Sequence, residues 1–233
     1  MTATAEAAPV TPVRRRRVRR RLAVLLAVLV LFGAWLVYDM YAPRRTSLRR
    51  FDPDEVARLE TAMWRSYYSR QRALLFRQLA ELLRTQYRLP LWRSNAVAFR
   101  AAKAAFVFKD GRARADYERA LPDLVSFYRS IREVSDTDFD VERAARLELE
   151  WWIVHRERKS HAPGDLARAL ADLQAEIYRA PPECFAEHAR LRADAMEIRD
   201  TKAEVGGVTE DDWRRIDDLL HASWRSLHAA VGD

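Results

Sequence analysis

The sequence has little cysteine and glycine, and it lacks the alternating apolar residues of a strand. Its 233 residues include one Cys and six Gly. The lone Cys184 forms no internal disulfide and is too few for a zinc cage of thiolates. The sequence also has no glycine-rich phosphate loop, no serine nucleophile elbow and no Cys-x-x-Cys pair. We therefore predict an all-α protein without an evident catalytic motif.

The positive charge of the chain is concentrated near the N-terminus. The net charge is +7 and the pI is near 9.8. Residues 1–50 contain eleven Arg against Glu6 and Asp39, whereas residues 51–233 carry 30 basic and 32 acidic groups. The signs look interspersed in the second part, so we expect no nucleic-acid partner. Arg outnumbers Lys 37 to 4, which is typical of a GC-rich bacterial genome.

One long uncharged segment follows the first arginines. It begins at Leu22, contains no charge as far as Tyr38, and with its extension to Ala42 covers 21 residues. A helix of that length is about 31 Å long and spans a bilayer core. Trp35, Tyr38 and Tyr41 lie at its C-terminal end, where aromatic rings prefer the headgroup level. We predict a transmembrane helix over 22–42; the alternatives are a cleaved signal or a buried core helix.

The basic residues on either side of this segment predict its orientation. Four arginines follow it, at positions 44, 45, 49 and 50. Seven precede it: Arg14, Arg15, Arg16, Arg17, Arg19, Arg20 and Arg21. The bias places the N-terminus in the cytoplasm and, for a bacterial inner membrane, the remainder in the periplasm; the opposite orientation is the alternative. The seven arginines also suit anionic lipid headgroups.

These features divide the chain into four predicted parts. We expect a disordered, arginine-rich cytoplasmic tail over 1–21, the transmembrane helix over 22–42, a juxtamembrane linker over 43–51 and a soluble domain over 52–233. Asp52 and Pro53 have the residue types of a helix start, an N-cap followed by proline. Apolar periodicity and breaker residues then predict a bundle of about seven helices. They cover 52–88, 94–109, 114–134, 141–159, 164–179, 182–203 and 209–231.

Two of these helices carry acids on their apolar faces. The patterns Glu60-x₃-Trp64-x₂-Tyr67 and Glu148-x₃-Trp152-x₂-His155 place their members at i, i+4 and i+7, which share a face. An inward carboxylate must be paired or neutralised. One interpretation is a metal or proton-handling site built on Glu60, Glu148 and His155. The other is a structural network in which arginines pair with the acids and Trp64 or Trp152 donates an indole N–H.

Three smaller patterns are also present. Cys184 and His188 share a helix face, but a nucleophile needs further groups that the sequence does not place. Asp218-x-x-His221 lies off the apolar face and is not a di-iron motif. Trp92 follows Pro90 in a predicted loop, where an exposed aromatic side chain can contact a partner.

The function that these features favour is a membrane-anchored helical interaction or scaffold domain. We expect an accessory subunit of an envelope complex, with the bilayer and other membrane or periplasmic proteins as partners and no cofactor. The alternative is a membrane-tethered metalloprotein or hydrolase that holds a metal ion with Glu60, Glu148 and His155. A third possibility is a pocket lined by Trp and Arg that senses a small ligand, although the short tail offers no output domain.

Overall fold

The computed structural model describes the backbone of residues 12–232 and the side chains of residues 16–17 and 19–232. Within that range the protein is α-helical without strands, and the all-α prediction is confirmed. The chain divides into two compact units at Ala42 and Pro43. The first contains helix α1, Pro12–Tyr41. The second contains α2 Pro53–Tyr68, α3 Arg72–Tyr87, α4 Leu91–Asp110, α5 Arg114–Tyr117, α6 Leu121–Arg132, α7 Val141–Arg156, α8 Asp165–Tyr178, α9 Ala186–Val205 and α10 Glu210–Val231.

Helix α1 contains the predicted membrane segment. Its part from Arg19 to Tyr41, 23 residues, is long and apolar enough to cross a membrane, and almost all of it is exposed. The helix begins at Pro12, ten residues before the predicted start, so the arginines assigned to the tail continue the helix. Arginine is a good helix former, which accounts for the extension. Residues 1–11 of the predicted tail lie outside the described residues.

Two of the seven predicted helices are each divided. The segment 52–88 forms α2 and α3, which are separated by a turn in which Arg70 has a positive φ of 61°. No Gly or Pro marks this turn; the chain reverses there because α2 and α3 bury their apolar faces against each other. The segment 114–134 forms α5, a 3-10 turn and α6. Pro122 accounts for that break, since its ring clashes with the carbonyl four residues earlier.

Eight helices of the second unit form a closed ring. Apart from the short α5, each helix packs on the next one in the sequence from α2 to α10, and α10 packs back on α2. The largest fully buried side chains come from many of these helices and include Leu59, Leu83, Leu124, Ile177 and Leu220. The ring therefore has one shared interior, to which every helix presents a face.

The predicted linker 43–51 is a packed part of the second unit. Leu48 and Phe51 are buried, and the Thr46 N–H donates to the Val134 carbonyl at 2.7 Å. Arg49 donates to the carbonyls of Tyr178 and Val231, at 3.2 and 2.9 Å. Those residues end α8 and α10, whose last carbonyls have no partner within the helix and attract a cation. A linker was thus the wrong prediction.

Candidate functional site

Glu60 lies in the interior of the ring and is fully paired. The side chain is on α2 and is 1% exposed. Its Oε1 accepts hydrogen bonds from Arg192 Nε at 3.0 Å and Nη2 at 2.7 Å. Its Oε2 accepts a hydrogen bond from the indole nitrogen of Trp224 at 2.6 Å. One carboxylate therefore joins α2 to α9 and α10.

Glu148 lies on α7 and is half-buried. The hydroxyl of Tyr128 donates to its Oε2 at 2.8 Å, and Trp152, one turn along α7, donates its indole N–H to Oε1 at 2.9 Å. Burial raises the pKa of Tyr128 well above its usual value, and the charge of Glu148 adds to the effect. Tyr128 is therefore a protonated donor at neutral pH.

Arg192 is the cation that both glutamates share. Burial lowers the pKa of Arg192, but the charge of Glu60, its hydrogen bond and the charge of Glu148 outweigh burial and raise it. The guanidinium also lies over the ring of Trp151, 5.2 Å from its centroid. Hydrogen bonds to charged groups stabilise more than neutral ones, and they are strongest where water is excluded. The arrangement is a structural network in which protein donors satisfy the acids.

The structure does not join His155 to this network. His155 Nε2 lies 2.9 Å from Asp200 Oδ2, and Arg199 and Arg158 approach the same carboxylate at 2.7 and 3.4 Å. Burial raises the pKa of Asp200, but the hydrogen bonds from His155 and Arg199 outweigh burial and lower it. Among the described residues, no group of three or more His, Cys, Asp or Glu side chains is placed to hold a metal ion.

Two aromatic residues of the predicted inward cluster lie outside the network. Tyr67 is 48% exposed, so its predicted inward position was wrong. A helical wheel describes the direction of a side chain around the axis but not its position along the helix, and Tyr67 lies in the last turn of α2. Trp64 packs half-buried against the core, and Trp224 donates to Glu60 in its place.

Trp92 was also placed in the wrong element. It lies in the first turn of α4 and is half-buried, whereas the sequence placed it in an exposed loop. Pro90 precedes this helix as its N-cap, so the proline that suggested a loop marks a helix start.

Cys184 and His188 do not form a thiol–imidazole pair. Cys184 is exposed, whereas His188 is completely buried, because a 3-10 turn precedes α9 and breaks the predicted common face. His188 Nδ1 lies 3.0 Å from the Ser223 carbonyl and 2.8 Å from the Ser223 hydroxyl, which itself donates to the His188 carbonyl. Burial and the charge of Arg192 lower the pKa of His188 to about 3. The imidazole is therefore neutral in the folded protein.

Three residues of the network were missed in the sequence: Arg192, Trp224 and Tyr128. Arg192 follows His188 by one helical turn, so the spacing that grouped Cys184 with His188 also groups Arg192 with them. Trp224 lies on the apolar face of α10 with Leu220 and Leu227. For Tyr128, the sequence contains no signal that distinguishes it from an ordinary core tyrosine.

The geometry is the only guide to function, because comparisons with family models, curated proteins and solved structures find no match. A surface groove near the end of α8 is lined by Arg143, Asp172, Ala175, Glu176, Arg179, Ala180, Pro181 and Pro182. Glu176 within it pairs with Arg143 and Arg179, at 3.2 and 3.0 Å. The groove has no tryptophan and does not match the third possibility, a pocket lined by Trp and Arg.

Replacement of Arg192 by Met should lower the free energy of unfolding of the domain. It leaves Glu60 buried without its cation, which costs about 3 to 5 kcal/mol. Urea unfolding of the detergent-solubilised chain, followed by tryptophan fluorescence, measures the change. The control is Arg190→Met on the same helix, which removes only exposed ion pairs with Glu187 and Asp194. Similar losses in the two variants would contradict the network, and Glu60→Gln should partly rescue Arg192→Met.

Folding stability should fall in acid because of His188. The folded-state pKa is about 3 and the ordinary value is 6.5, so the unfolded chain binds the proton first. The stability is fully present above pH 6.5 and is lost towards pH 3, by on the order of 5 kcal/mol over the whole interval. We expect His188→Gln to have a shallower dependence of unfolding free energy on pH than the wild type between pH 6.5 and 4. Parallel profiles would show that His188 does not titrate as inferred.

Proposed function

We propose that the protein is a single-pass protein of a bacterial inner membrane whose periplasmic helical domain is an interaction module. In this proposal α1 is the anchor, the N-terminus is cytoplasmic, and the domain is an accessory subunit of an envelope complex. The length and apolar surface of α1 support the anchor. The seven arginines before the apolar segment support the orientation.

The observation that carries the proposal is the use of the interior acids as structural links. Glu60 connects α2 with α9 and α10, and Glu148 connects α7 with α6. Both carboxylates accept hydrogen bonds from protein groups at both oxygens. Such a network holds the helices of a ring in one arrangement, which suits a domain that presents a surface. His155 is paired with Asp200, so no observation favours the metalloprotein or hydrolase alternative.

The exposed Cys184 permits a direct test of the orientation. A membrane-impermeant maleimide added to intact spheroplasts should label the full-length chain, because the proposed domain faces the outside. Cys184→Ser provides the background. Labelling that appears only after the membrane is permeabilised would place the domain in the cytoplasm and contradict the orientation.

A mild detergent extract of the native membrane tests the proposed role. The tagged chain should leave the membrane in a particle larger than 27 kDa, with other membrane or periplasmic proteins in fixed stoichiometry. Native mass spectrometry measures the intact particle and its components. The solubilised Arg192→Met variant, with its network broken, is expected to lose these partners while α1 still inserts. A lone chain, or a homo-oligomer without other proteins, would contradict the accessory-subunit role.

A further inference from the structure

The basic residues of the second unit are concentrated in one helical hairpin. Residues 69–110, which contain α3 and α4, include two acids, Glu81 and Asp110. They include nine basic residues: Arg70, Arg72, Arg77, Arg84, Arg88, Arg93, Arg100, Lys103 and Lys109. Residues 51–233 as a whole have slightly more acids than bases, so the signs are not interspersed as the sequence analysis supposed. Arg93 is buried and pairs with Glu133, and Lys103 pairs with Asp123, so the other arginines carry the positive surface of the hairpin.

Large apolar side chains lie on the same hairpin and face solvent. On α4, Phe99 is 63% exposed, Phe106 is 49% exposed and Leu91 is 44% exposed. Phe99 and Phe106 are seven residues apart and share the outer face of the helix. The opposite face of α4 packs into the ring through Val97 and Ala98. Helix α4 thus has apolar residues on both its inner and outer faces.

The charged residues lie beside these rings. The Arg72 guanidinium lies 5.9 Å from the centroid of Phe106, and Arg84 Nη1 donates to the Ser94 hydroxyl at 3.1 Å. These two contacts give one antiparallel register, in which Arg77 on α3 lies opposite position 101 of α4. Arg77 and Arg100 are both exposed, and the described part of the chain gives neither an ion pair. The middle of the hairpin therefore carries uncompensated positive charge next to exposed aromatic rings.

We propose that this α3–α4 surface, defined by Arg72, Arg77, Phe99, Arg100 and Phe106, docks on the anionic lipid headgroups of the membrane that holds α1. The inference rests on the anchor of the proposed function and not on its protein partner. Basic side chains flanking a phenylalanine stripe match an interfacial helix, whose apolar face enters the acyl boundary while its cations meet phosphates. The covalent tether favours docking, because it keeps the domain close to the membrane surface.

An acidic protein would also attract the positive charge, but the lipid accounts for both features together. Two phenylalanines on a convex helix form a narrow ridge, which suits insertion between headgroups. Docking through the outer face of α3 and α4 leaves the exposed side chains of α8, α9 and α10 free for the proposed protein partner. The lipid contact therefore orients the domain on the bilayer.

The test places a spin label on the outer face of α4 in the full-length chain. Ala102→Cys in a Cys184→Ser background lies between Phe99 and Phe106 on the same face. The chain is reconstituted into nanodiscs of phosphatidylcholine alone or of a mixture with phosphatidylglycerol. The collision rate of the spin label with oxygen, which concentrates in lipid, is compared with its collision rate with a water-soluble nickel chelate. We expect lipid-like accessibility in the anionic discs and water-like accessibility in the neutral discs, with docking weakened by salt.

Matched variants distinguish the effect of the basic residues on this surface from the effect of the net charge of the protein. Arg77→Glu with Arg100→Glu should lower the docked-to-undocked ratio at least about 25-fold, from roughly fivefold per basic residue near an anionic surface. Arg146→Glu with Arg215→Glu makes the same change in net charge at exposed arginines of α7 and α10 and should leave docking unchanged. Phe99→Ser with Phe106→Ser should lower docking while the ring stays folded, because both side chains are exposed. Circular dichroism checks the fold of every variant.

Each failure has a distinct signature. Equal accessibility in neutral and anionic discs, or equal effects of the two charge-reversal pairs, would overturn the lipid inference. The lipid inference would also be overturned if the label were shielded from the nickel chelate in native membranes but not in pure lipid discs. A protein would then cover this surface. If the chain does not enter nanodiscs and leaves native membranes in carbonate, the anchor itself fails, and the proposed function fails with it. Docking in discs stands even if the native extract contains no protein partner.

Discussion

The buried ion pair of Glu60 and Arg192 is the interaction on which the domain depends. Each group alone would be an uncompensated charge in the interior, so α2 and α9 must meet in one arrangement. Trp224 adds α10 to the pair, and the shared charge of Arg192 extends the effect to Glu148 on α7. Apolar packing alone tolerates small shifts between helices, whereas a bidentate contact between buried charges does not. The pair therefore favours the arrangement in which α2, α9 and α10 meet.

The arginines after the membrane segment illustrate how one residue type serves different purposes. In the sequence, four arginines beyond Tyr41 reduce the charge asymmetry on which the orientation rests. In the structure, the guanidinium of Arg49 donates hydrogen bonds to the carbonyls that end α8 and α10. The hairpin of α3 and α4 shows the opposite case at Arg77 and Arg100, which are exposed and form no ion pair in the described part of the chain.

Much of the candidate site was visible in the sequence, but its partners were not. Helical spacing placed Glu60 and Glu148 on apolar faces because a carboxylate that recurs with apolar residues points with them. The same reasoning grouped His155 with them, yet Asp200, 45 positions later, takes that imidazole. Periodicity describes each helix separately and carries no information on which helices meet. Periodicity also did not predict that Arg192 would supply the cation or that Trp224, and not Trp64, would donate to Glu60.

The sequence by itself determined the all-α class, the long apolar helix near the N-terminus and the starts of α2, α5, α7, α8 and α10. These properties depend on composition, on local spacing and on caps such as Asp52 and Thr209, all of which act within a few residues. Only the tertiary structure decided the break at Arg70, the incorporation of residues 43–51 into the domain and the pairing of the buried acids. Each of these depends on contacts between segments far apart in the chain, where the cost of an unpaired charge or an open carbonyl outweighs local preference.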